Sequence, residues 1–209
     1  VAPMLDEKRR NILEIRLLLR RAAILHRDEP IERKQEMVAR MLELTADPDD
    51  EETCRLRLAA LVNDSMSAYW RTGHSDSGAM ERIRAFVERY PALRRTEAYL
   101  AYLNQIVMWS SLDGEVDRLR QVEREAEEML RDLTLDDEFR VSLKRAVYPD
   151  LLLLFGDTEE LARRMKDLAE LESGREDRYT SGIHFCKISL LERTGWLRKA
   201  AAACREGIP

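Results

Sequence analysis

Apolar residues recur at helical spacing through ten stretches of the chain, and each stretch predicts an amphipathic helix. The first runs from about Leu5 to Leu25 and is apolar around most of its girth, through Ile12, Leu13, Ile15, Leu17, Leu18, Leu19, Ala22, Ile24 and Leu25. A helix of that kind is sandwiched between others. Arg9, Arg16, Arg20 and Arg27 form a basic stripe along it, which reads as a solvated face with snorkelling stems rather than an anion site. His26-Arg27-Asp28-Glu29-Pro30 breaks the helix, and Pro30 suits the first turn of the next. That second helix, Ile31 to Leu44, sets Met37, Val38, Met41 and Leu42 on one face. Thr45 to Glu52 then form a turn whose carboxylates suit the positive end of a third helix. The turn lacks the D-x-[DN]-x-[DN]-G order of a calcium loop.

The third helix, about Glu51 to Arg71, ends at Thr72-Gly73 and is followed by the small-residue loop Gly73–Met80. The fourth carries Met80, Ile83, Phe86 and Val87 and stops at Tyr90-Pro91. The fifth, about Thr96 to Leu112, ends at Asp113-Gly114, a tight-turn pair. The sixth buries Val116, Leu119, Val122, Ala126, Met129 and Leu130, with Arg124–Glu128 and Glu127–Arg131 as outward i,i+4 pairs. Asp136, Asp137 and Glu138 cap the seventh, which runs to Phe155, and Pro149 is expected to kink it. Asp157 or Thr158 caps the eighth, whose stripe is Leu161, Met165, Leu168 and Leu171. Ser173-Gly174 precedes the ninth, and Gly195 separates it from the tenth.

These helices fall into a period. Gly73, Gly114, Gly156 and Gly195 lie 41, 42 and 39 positions apart, each closing a long apolar helix and opening a shorter charged one. A fixed period of this size is how stacked helical hairpins appear in sequence. One hairpin has a face too apolar for water and too small to close a core, and stacking neighbours buries it. The expected architecture is all-α: a right-handed solenoid of about five antiparallel hairpins, approximately 4–45, 50–91, 94–133, 136–173 and 176–208, forming one domain over 1–209. A chain that starts at Val1 and stops at Pro209 just after a helix reads as a segment of a longer protein.

Composition narrows the function classes. Of 209 residues, 44% are apolar and 36% charged, which is too apolar for disorder. The net charge of −5, with both signs interleaved, argues against direct nucleic-acid binding. Cys54, Cys186 and Cys204 are odd in number and widely spaced, which suits reduced thiols in a cytoplasmic protein. No apolar run approaches the roughly 20 residues of a membrane span, so no membrane is expected. His26, His74 and His184 sit on separate hairpins, and His184 and Cys186 lack further ligands at zinc-like spacing. No nucleophile elbow, phosphate loop or di-iron motif is present, so no catalytic residue, metal or cofactor is expected.

With these glycine turns, Leu119, Leu161 and Ala200 a few places after a turn, Ala126 in a second helix and Pro91 closing another, the stretch from about Glu51 to Ile208 resembles the tetratricopeptide family. The form it is similar to is the longer, degenerate one of bacterial signalling proteins and MalT-like transcription activators. The first hairpin reads as a weaker fifth copy. The resemblance implies a superhelix whose concave groove is lined by the first helix of each pair (the third, fifth, seventh and ninth helices) and holds peptides or partner segments.

Candidate site residues follow from the register. Asn63 and Asn104 are two of three asparagines, and each stands ten places before its turn glycine. Asparagine is a mediocre mid-helix residue, so the pair calls for an explanation. Its amide both donates and accepts, and two along a groove could hold the backbone of an extended peptide. The resemblance implies the same, since groove asparagines do this in peptide-sensing members. The bland alternative is that each bonds a neighbouring helix or faces water. Further along the helix, Ser67 and Met108 are equivalent, and then Trp70 and Ser111. Tyr69, Tyr99, Tyr102 and Trp109 are nearby aromatics that read as interhelical packing. Arg140 and Lys144, with Arg145, form a basic cluster suited to an acidic partner or a peptide carboxylate.

The expected function is therefore a non-enzymatic peptide- or protein-binding regulatory module of a bacterial transcription regulator or signalling receptor. The alternative is a constitutive scaffold that forms homo-oligomers through its terminal hairpins, with no small ligand. An all-helical enzyme with an unrecognised site is the minor alternative.

Overall fold

The computed structural model describes residues 2–24, 30–74, 76–155, 158, 159, 162 and 188–206. Every regular element among them is helical: α1 (Ala2–Ile24), α2 (Ile31–Leu44), α3 (Glu51–Thr72), α4 (Ser77–Arg89), a 3-10 turn (Pro91–Arg95), α5 (Glu97–Asp113), α6 (Val116–Arg131), α7 (Asp137–Phe155) and α8 (Leu197–Glu206). Residues 188–193 are helical as well. The all-α expectation holds. The predicted eighth helix, most of the ninth, Gly156, His184 and Cys186 lie outside the described residues. The chain divides into two compact units, 1–102 and 103–209, with the division falling inside α5.

In the first unit α3 packs against α1, α2, α4 and the 3-10 turn. Its sequence explains this. Ala60, Leu61 and Val62 are buried in succession, and three successive residues sweep about 200° of a helix. Ile15 of α1, Val38 and Met41 of α2, and Leu56 and Ala60 of α3 form one core cluster, flanked by Ile12, Leu18, Leu19, Leu42 and Leu44. Full burial of a side chain such as Leu58 contributes about 1.5–3 kcal/mol. From α4, Met80, Ile83 and Val87 are buried, while Phe86 is half-buried with its ring 5.0 Å from that of Tyr90.

Polar groups fix the entry to α3. The Asp50 carboxylate accepts from Thr53 N at 2.7 Å, and Thr53 Oγ1 accepts from Asp50 N at 3.1 Å, a reciprocal capping box. Lys8 of α1 reaches both Asp49 and Asp50 at 2.7 Å. Arg40 of α2 bonds Glu14 of α1 at 2.8 Å, and Arg16 pairs with Glu52. Chiefly the Lys8 ammonium, then the two Thr53 bonds, hold the Asp50 carboxyl at about 2 against an ordinary 3.8.

In the second unit α6 and α7 pack together. Leu119, Val122 and Ala126 supply the buried stripe of α6, and Leu143, Ala146 and Val147 that of α7. Glu127–Arg131 pairs at 3.8 Å. Asp136 caps α7, its carboxylate accepting from Phe139 N at 2.7 Å. The helix continues through Pro149, which is buried and has no N–H to give to the carbonyl of Arg145. Ile188, Ala200 and Ala203 form a separate small cluster.

The turn glycines are conformational requirements. Gly73, Gly114 and Gly195 have φ of 73°, 72° and 79°, the left-handed geometry of helix C-termini. A Cβ at Gly73 or Gly114 would meet nothing within 4 Å, so only the backbone opposes a side chain there. Gly73→Ala and Gly114→Ala should each destabilise the chain by about 1–2 kcal/mol, read from urea unfolding. The depressed Asp50 carboxyl gives a pH prediction. Its contribution is fully present above its unfolded value and is lost as pH falls from about 4 through about 2. Asp50→Asn keeps a capping residue but removes the charge, so it should flatten the acid limb of stability over that window.

Candidate functional site

The second half of α3 is only partly covered. Asn63, Met66, Ser67 and Trp70 follow i, i+3, i+4, i+7 spacing and share one face. Ile31, Lys34 and Val38 present the matching face of α2, and Ala22 comes from α1. Together these eight residues line a cavity of about 200 Å³. Val38 and Ala22 are buried, Asn63, Met66 and Ser67 half-buried, and Trp70 is 61% exposed. Tyr69 sets its ring edge-on to Trp70, with centroids 6.3 Å apart. Asn63 Nδ2 donates back along its own helix to the Ala59 carbonyl at 2.8 Å, so the carbonyl end of its amide remains to accept. Among the described lining residues Lys34 carries the one charge, and none is a carboxylate, histidine or cysteine.

Three of the eight sequence candidates therefore come together: Asn63, Ser67 and Trp70. The remaining five lie in the second unit. Asn104 Nδ2 donates across from α5 to the Ala146 carbonyl of α7 at 2.7 Å. Met108 is 36% exposed, and Ser111 donates to Val107 O in its own helix at 2.6 Å. The Arg140 guanidinium donates to the carbonyls of Leu130 at 2.7 Å, Leu135 at 3.2 Å and Asp132. It thereby closes the C-terminal end of α6, where carbonyls lack helical partners. Lys144 is half-buried on α7. Tyr99, Tyr102 and Trp109 are buried in the packing, as expected of them. Gln105, beside Asn104, is 3% exposed with neither amide atom hydrogen-bonded, and it is a polar side chain the sequence reading passed over.

The contribution of α2 was also missed. Its signal was present in the i, i+3, i+7 spacing of Ile31, Lys34 and Val38. The tetratricopeptide resemblance points to the first helix of each pair, and α2 is a second helix.

No protein-family model matches the chain, and no match to a curated protein or to a solved structure was found.

The two asparagines, equivalent in register, should separate in a stability measurement. Each replacement by alanine gains the same helix propensity, but only Asn104→Ala removes a bond between helices. Asn104→Ala should therefore unfold at lower urea than Asn63→Ala, by a difference of about 1 kcal/mol.

Proposed function

We propose that the chain is a peptide- or protein-segment-binding regulatory module of the tetratricopeptide-like kind, built as a right-handed array of helical hairpins. In this reading the cavity between α2 and α3 takes one apolar side chain of the bound segment, and the parent protein is a bacterial transcription regulator or signalling receptor. Three left-handed turn glycines at positions 73, 114 and 195 support the array.

The observation that carries the binding reading is the cavity itself. At about 200 Å³ it falls below the roughly 300–1,000 Å³ of pockets that enclose a drug-sized molecule. It suits a single side chain whose parent segment lies outside. Its wall is mostly apolar, from Ala22, Ile31, Val38 and Met66. Asn63 and Ser67 offer polar groups to a backbone passing over the mouth. Trp70 stands exposed at the same place, and Trp is the residue type that most often anchors an interface. A wall without carboxylate, histidine or cysteine among the described residues offers no acid–base pair or nucleophile of the usual kinds, which favours binding over catalysis.

Panning a random-peptide display library against the full chain should enrich peptides that share one large apolar residue. Their affinity should fall roughly thirtyfold on Trp70→Ala and equally on Ser67→Trp, which fills the cavity. Enrichment of the same peptides by both variants at unchanged affinity would remove the cavity from the reading.

A further inference from the structure

α1 carries a second surface, unrelated to the cavity. Its fully buried Ile15 points into the α2–α3 core. Diametrically opposite on the helix are Leu13 and Leu17, 60% and 68% exposed and one turn apart. At 100° per residue, Arg9, Arg16 and Arg20 run along one edge of that leucine pair, and Arg10 and Arg21 along the other. All seven residues are exposed and together span an arc of about 140°. Arg16 pairs with Glu52, and Arg10 lies close enough to Glu14 to help hold its carboxyl low, after the larger effect of Arg40. Among the described side chains, Glu14 pairs with Arg40, and Asp49 and Asp50 with Lys8, off the leucine face, while Glu52 meets Arg16 at the edge of one arginine row. Over residues 9–21 Leu13 and Leu17 form an apolar seam between two rows of arginine.

We propose that this face docks a partner helix whose own apolar seam is flanked by aspartate and glutamate. The spacing suits a helix, because Leu13 and Leu17 at i,i+4 make a narrow seam of the kind that receives side chains from one facing helix. The flanking charge selects the partner. A second copy docking through the same face would lay arginine rows against arginine rows, and like charges facing across an interface oppose it. An acidic helix meets both rows with opposite charge and covers the leucines. A lipid surface is less suited. Interfacial helices bury a broad apolar face with aromatics, whereas the broad apolar face of α1 is already packed on α2 and α3.

The test is a displayed amphipathic helix with seam and flanking positions randomised, panned against the full chain. Selected helices should carry Leu, Ile or Met at the seam and Asp or Glu beside it. A selected helix, synthesised and followed by fluorescence anisotropy, should bind about tenfold more weakly to Arg9→Glu/Arg20→Glu and to Leu13→Ser/Leu17→Ser, and more weakly in high salt. Both variants change only exposed positions, and circular dichroism would verify that they fold. Absence of enrichment, enrichment without acidic bias, or binding insensitive to both variants would overturn the proposal. So would self-association, or sedimentation with phosphatidylserine–phosphatidylcholine vesicles, if either were lost in Leu13→Ser/Leu17→Ser.

Discussion

Burial of Ala60, Leu61 and Val62 in succession forces α3 into the middle of its neighbours, since no single partner could cover three adjacent residues of one helix. The arrangement of the first unit follows from that constraint. α1 and α2 close on the Leu56–Ala60 side, where Ile15, Val38 and Met41 complete the cluster. α4 and the 3-10 turn also pack on α3, bringing Met80, Ile83, Val87 and Leu93 into the interior. The Asp50–Thr53 box and the reach of Lys8 to both aspartates then fix where α3 begins relative to α1. Exposed ion pairs of this type contribute little energy singly. Their effect is to select one register among those the apolar packing would tolerate.

A helix packed along much of its first half and only partly along its second leaves a groove, and Asn63 and Ser67 of α3 fall there. Asn63 and Ser67 stand on the partly covered face, while Ser65, the buried hydroxyl between them, meets the Met80 sulfur at 3.3 Å. Polar groups at a cavity wall keep contact with water until something replaces it, whereas the same groups in a closed core would cost stability unless paired. The cavity thus sits where the burial of α3 declines along its length.

Much of the helix layout was legible because the underlying rules are local. Ile31–Leu44 is bounded by Pro30 and the Thr45 turn, and the glycines at 73, 114 and 195 sit where only a left-handed residue ends a helix readily. What opposes a given side chain is not local. Asn63 and Asn104 have the same register and flanking pattern, yet one bonds its own helix and the other a carbonyl 42 residues away. Periodicity assigns a residue to a face without saying which neighbour covers that face. Arg140 illustrates the same gap. In sequence it belongs to a basic cluster with Lys144 and Arg145. In three dimensions the turn after α6 folds its carbonyls onto the guanidinium, which is held there rather than offered to solvent.

Charge shows how a chain-wide quantity can mislead about a surface. The net charge is −5 and both signs are interleaved along the sequence, which suggests no marked face anywhere. Folding sorts these charges. Around residues 8–21 of α1 several acids engage in pairs: Glu14 with Arg40, Asp49 and Asp50 with Lys8, and Glu52 with Arg16 at the edge of an arginine row. On the outer side five arginines, Arg16 among them, bracket Leu13 and Leu17. An acidic chain can thus present a basic face, because charge is read by a partner over a distance near the Debye length of about 8–10 Å and not over the whole molecule. The sorting also explains why the exposed leucines are tolerated. Two rows of arginine keep the seam hydrated, and the same charges that would select an acidic helix would oppose a self-contact that set the rows against each other.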